Sequence, residues 1–170
     1  HRDRSIVRVQ QTVGIDYSGA MTLGKTLRVL IVAADPANYQ GVSWEEVSST
    51  IERALSAGMP AEASVKVVPG ANRKELLQTI ARERFDVFHF IGHGAVNPKG
   101  VGGLILENLA TKLSDFVSGR DVAIALAGKG VSLAILSACL TSAGKQGDEF
   151  DSVATSLIAA GIPAVVANQY

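Results

Sequence analysis

Cysteine is almost missing from this chain. Cys139 stands alone among 170 residues, so no intrachain disulfide is possible and its thiol is left free for chemistry. A lone thiol fits a reducing compartment, and the cytoplasm is the expected location. Charge of one sign is missing too, because 16 basic residues balance 16 acidic ones and no basic cluster is interleaved with aromatics. Direct binding to nucleic acid or to an anionic membrane is therefore not indicated. Long apolar runs are also absent. Stretches such as L-R-V-L-I-V-A-A and L-I-A-A-G-I-P-A-V-V-A are too short or too broken to span a bilayer, and no signal peptide is visible. The chain begins at His1 rather than Met and stops at Tyr170 directly after a strand-like run, so a piece of a longer polypeptide is expected.

What is present is apolar residues, 47% of the total, enough for one domain with a sizeable core. Residues 1–26 read as an edge strand near 5–9 and a linker from an upstream region, and 27–170 as the domain. Strands are expected at 27–33, where Asp35-Pro36 ends the run, and at 64–68 and 164–167, with an extended piece at 100–108. Helices are expected at 43–57, from the spacing of Trp44, Val47, Ile51, Ala54 and Leu55 behind a Ser43 cap, and from an Asn72 cap to about 84. The second of these would bury Leu76, Leu77 and Ile80. Further helices are expected at 113–127, with a break at Gly119, and up to 160 behind a cap at Asp151 or Ser152, after a polar loop at 141–150. Strands alternating with helices imply right-handed crossovers and a three-layer α/β/α sandwich with a mainly parallel sheet.

Two stretches carry the chemistry: F-D-V-F-H-F-I-G-H-G at 85–94 and V-S-L-A-I-L-S-A-C at 131–139. Each is the length of a strand buried on both faces, and each ends in a reactive side chain, His93 or Cys139. The carboxyl ends of parallel strands share one rim, where ligands bind, and an imidazole beside a thiol there is the least apparatus of a cysteine nucleophile with its base. Each residue also has a bland reading. A lone Cys behind an apolar strand is commonly core, and His89 reads as a packed residue donating to a neighbouring carbonyl. No metal is expected from His89, His93 and Cys139, since strand residues four apart are separated by about 13 Å. Residues 19–26, G-A-M-T-L-G-K-T, formally match a phosphate-binding P-loop. That loop needs a helix after it, and a strand follows here, so nucleotide binding is the weaker alternative.

The runs L-R-V-L-I-V-A-A-D-P, D-V-F-H-F-I-G-H-G, G-G-L-I-L-E, L-S-A-C-L-T-S-A-G and A-A-G-I-P-A-V-V-A-N-Q-Y together resemble the CHAT domain. This is a caspase- and separase-like cysteine peptidase domain often attached to tetratricopeptide repeats, and the resemblance covers about Leu27 to Tyr170. It implies a caspase-like fold with His93 as base and Cys139 as nucleophile, at the caspase-type spacing of about 50 residues. The backbone amides of Gly94 and Cys139 would then form the oxyanion hole. No acidic third member is evident, so a backbone carbonyl is left to orient the imidazole. The implied partners are a protein substrate and tetratricopeptide or other regulatory domains of the same full-length chain, and no cofactor is needed. Family members continue beyond the position of Tyr170 into another helix and strand. Asp35, by its place in the related peptidases, with Asp148 and Asp151 after the nucleophile, would favour a basic substrate residue. The bland reading has Asp35 making a turn with Pro36 and Asp151 capping a helix. The rival from another class is a non-catalytic, peptidase-like interaction or regulatory module.

Overall fold

The computed structural model describes residues 8–9, 26–58, 62–138 and 148–169. In chain order the elements are β1 (Arg8–Val9), β2 (Thr26–Ala33), α1 (Trp44–Gly58), β3 (Glu62–Val68), α2 (Arg73–Arg82) and β4 (Val87–Val96). They continue with β5 (Gly102–Glu107), β6 (Ser114–Ser118), α3 (Gly119–Leu126), β7 (Leu133–Ala138), α4 (Asp148–Ala159) and β8 (Ala164–Gln169). Six strands lie side by side in the order β1-β8-β7-β4-β2-β3. All neighbours from β8 to β3 are parallel, and β1 alone joins antiparallel, on the outer edge of β8. Strand β4 runs past its parallel neighbours and pairs there with the antiparallel hairpin β5–β6.

The apolar runs of the central strands alternate between two cores. Leu30, Val32, Phe88, Phe90, Ala134 and Leu136 point to the larger one, which α2, α3 and α4 cover with side chains such as Leu76, Val122 and Leu157. Val29, Ile31 and Ile91 point the other way, under Trp44, Ile51 and Leu55 of α1. This is the three-layer α/β/α arrangement expected of a caspase-like sandwich, because strands apolar on both faces need cover on both. Each fully buried Phe or Leu, such as Phe88, Phe90 and Leu136, contributes roughly 1.5–3 kcal/mol. Caps fix where the helices start. The Asn72 side chain accepts the Glu75 N–H at 3.0 Å, and Ser118 Oγ accepts the Asp121 N–H at 3.1 Å.

Four expectations are corrected. The first part of the expected 113–127 helix is β6, because Ser114–Ser118 finds a partner in β5 and only Gly119–Leu126 is helical. Leu77 is 44% exposed, since α2 turns Leu76, Thr79 and Ile80 inward and position 77 lies a third of a turn away from that face. Asp151 is no cap: α4 already starts at Asp148 and Asp151 lies in its first turn. Finally, the strand does not end in His93. β4 continues to Val96, so His93 sits inside it. Among the described residues no helix is long and apolar enough to cross a membrane.

Candidate functional site

The geometry of the site follows from a change of neighbours along β4. From Val87 to Gly92 the strand is hydrogen-bonded between β2 and β7, with Gly92 opposite Ala138. Beyond Gly92 the neighbour is β5, with His93 opposite Ile105. Strand β2 departs at this level, where the Ala34 N–H makes its bond to the Ile91 carbonyl at 3.0 Å. Gly92 makes the crowding tolerable: a Cβ there would lie 2.7 Å from Cζ of Phe90 and 3.0 Å from the Ala34 carbonyl oxygen.

His93 is buried, with 2% of its surface exposed. Its Nε2 lies 2.9 Å from the Gln40 carbonyl oxygen, and its ring meets that of Tyr39 at 4.8 Å between centroids, tilted by 42°. A carbonyl can only accept, so the ring proton is on Nε2. In the neutral imidazole that puts the lone pair on Nδ1. Four residues earlier on the same face, His89 is also buried, but its Nε2 meets the hydroxyl of Ser137 at 2.9 Å. The expected carbonyl partner of His89 is thus replaced by a side chain of the adjacent strand. Burial holds the His89 imidazole down at about 4, so it is neutral at ordinary pH.

The amide of Gly94 is directed by the ladder itself. The Asn97 N–H donates to the Val101 carbonyl at 2.9 Å, in register with the β4–β5 pairing. Hydrogen bonding alternates along an antiparallel pair, so His93 and Ala95 bond toward β5 and the Gly94 N–H is turned to the opposite edge. Strand β5 occupies the edge left by β2, since Glu107 bonds to Ala71 and Ala71 to Ala33. The Gly94 N–H therefore faces the flank on which β7 lies.

Asp35, exposed, follows β2 on this rim and gives its N–H to Oε1 of Glu107 at 3.2 Å. Glu107 is a carboxylate only 8% exposed that sequence reasoning passed over. Its signal was a glutamate closing the apolar run G-G-L-I-L-E, where a charged side chain turned inward needs a donor. Asp151 is half-buried in α4. The side chain of Asp148 lies outside the described residues. Cys139 lies outside them too, as does most of the P-loop match at 19–26. Thr26, the last residue of that match, already opens β2, so a strand stands where phosphate binding requires a helix. The residue before Cys139 is Ala138, paired with Gly92, itself the residue before His93.

The family model described as CHAT domain matches residues 6–170. No curated protein matches the chain.

Proposed function

The chain belongs to the CHAT domain family, a caspase-like, peptidase-related group, and from that premise we propose that it is a cysteine endopeptidase cleaving a protein substrate. The observation that carries this reading is the bond from Nε2 of His93 to the Gln40 carbonyl, which puts the lone pair on Nδ1. Cys139 follows directly on Ala138, and Ala138 pairs with the residue before His93, which supports Cys139 as the nucleophile.

In the proposed reaction Nδ1 of His93 takes the thiol proton of Cys139. The thiolate sulfur then forms a bond to the scissile carbonyl carbon, and the amides of Gly94 and Cys139 hold the negative oxygen that results. The imidazolium hands its proton to the leaving nitrogen as the C–N bond breaks, giving a thioester and a free amine. Water, deprotonated by the same imidazole, hydrolyses the thioester and restores the thiol, so no cofactor takes part. Asp35 is an exposed carboxylate on the loop that holds His93 and suits a basic substrate side chain, with Asp148 and Asp151 as further acidic groups. A reducing, cytoplasmic setting keeps the thiol competent, and regulatory domains of the same polypeptide would control access.

The test is an electrophilic peptide offered to the full-length protein, with the adduct mapped by mass spectrometry. Labelling at Cys139 that is lost in His93→Ala is expected. Cleavage that persists in Cys139→Ala would leave only the regulatory, non-catalytic reading of this domain. A library in which acidic or apolar residues are preferred before the cleaved bond would remove the acidic pocket.

A further inference from the structure

The Gln40 carbonyl that receives His93 belongs to no helix or strand. It lies in the segment between β2 and α1, where a bare loop would leave the acceptor free to wander. What fixes this segment is the hairpin β5–β6. At the root, the Asp35 N–H is held by buried Glu107 at 3.2 Å, and the Ala37 N–H by the Lys112 carbonyl at 3.0 Å. Next comes a reciprocal pair. Asn38 Nδ2 donates to Ser114 Oγ at 3.0 Å, and Asn38 Oδ1 accepts the Ser114 N–H at 2.8 Å. The two residues that follow Asn38 are Tyr39, whose ring lies against His93, and Gln40, whose carbonyl takes the Nε2 proton. The Tyr39 N–H is itself tied to the Pro36 carbonyl at 2.9 Å, so the stretch is a turn pinned at both ends.

We propose that Asn38 is a positioning residue for His93: by clamping the loop to Ser114 it holds the Gln40 carbonyl on Nε2 and keeps Nδ1 as the base. The side chain of Asn38 is exposed and contributes nothing to the core, so its two bonds to β6 serve the loop's register against the hairpin. Both sides of Asn38 are needed, the amide oxygen for a main-chain N–H and the amide nitrogen for a hydroxyl. Aspartate can replace it, because its second oxygen accepts from the same hydroxyl when the Ser114 O–H turns round. Alanine cannot. The assignment rests on His93 being the general base, and its test is chosen to separate the two.

The experiment is proton–nitrogen correlation of the histidine side chains in the full polypeptide, paired with steady-state cleavage. In the unaltered protein the His93 Nε2–H, buried and bonded, gives a slowly exchanging signal. Asn38→Ala should lose that signal to exchange and lower kcat by roughly tenfold to a hundredfold with KM little changed, as small misplacements of a reacting group do. Asn38→Asp should restore both. An Asn38→Ala protein that keeps the signal and its kcat overturns the proposal, and so does an Asn38→Asp protein that fails as badly as alanine. Should Asn38→Ala not fold, Ser114→Ala removes only the hydroxyl, and an unchanged exchange rate at Nε2 in that variant also overturns it. A wild type that cleaves nothing, while its Nε2–H signal still depends on Asn38, upholds the clamp and overturns the peptidase reading alone.

Discussion

The lower and upper halves of β4 carry one histidine each, on the same face and both buried, yet the two halves are built differently. Around His89 the strand is enclosed by β2 and β7, and the imidazole is satisfied sideways by Ser137 of the adjoining strand. Around His93 the parallel sheet has opened, β5 has replaced β2, and a main-chain carbonyl from a loop reaches the ring. In the closed half the histidine has its partner inside the sheet. In the opened half the partner comes from a loop, and the Gly94 amide is turned away from β5, to the flank on which β7 lies.

The strongest way to break this contrast is to exchange the fates of the two histidines. His93→Ala and Cys139→Ala should each lower kcat/KM about 10³-fold or more, while His89→Asn retains most of it. Assays of peptide cleavage by the three variants decide the matter, and a His89 variant as inactive as the His93 one would dissolve the distinction. Because His93 is buried within β4 and bonded to the Gln40 carbonyl, its loss should also lower stability by about 1 kcal/mol for the hydrogen bond alone, as seen by denaturant titration.

The closed half should reveal itself through pH. His89 has its pKa lowered by burial from 6.5 to about 4, so below 6.5 the unfolded chain binds a proton that the folded chain does not. Stability from this group is whole above 6.5, falls as pH drops from 6.5 to about 4, and falls no further below that. The loss amounts to about 3 kcal/mol. His89→Asn should flatten the curve across that window, as chemical denaturation at a series of pH values would register.

Steric tests sharpen the comparison at its seam. Gly92→Ala forces a Cβ against Phe90 and the Ala34 carbonyl, and Gly103→Ala places one 2.4 Å from the Val117 carbonyl of the hairpin. Each should cost about 1–3 kcal/mol in thermal or denaturant unfolding. The Gly103 change should also disturb cleavage, since it loosens the hairpin that holds the His93 loop. At the small end, Leu77→Lys on the exposed face of α2 should alter stability by no more than about 0.5 kcal/mol.

Much of this was legible in the sequence, for reasons that also explain what was not. Short runs apolar on both faces, such as L-R-V-L-I-V-A and V-F-H-F-I, identify parallel strands because only a sheet covered twice tolerates them. His93 was readable as a candidate from its place in such a run between two glycines. The Gln40 carbonyl was not, since a main-chain acceptor has no signature in residue type. Segment 113–118 misled because Leu113, Phe116 and Val117 in L-S-D-F-V-S fall at helical spacing, while its pairing with β5 is a tertiary choice that propensity does not record. Ser137 carries no mark in the run L-S-A-C that sets it apart, and its role as the partner of His89 depends on register across two strands.

The pairing of β1 with β8 joins Arg8 to Ala167, far apart along the sequence. Contacts between such distant segments form late, because the entropy of closing so long a loop must be met before the contact rewards it. Synthesis runs from β1 towards β8, so β1 waits without its partner while every strand between them is made, and this edge of the sheet closes only once β8 has emerged.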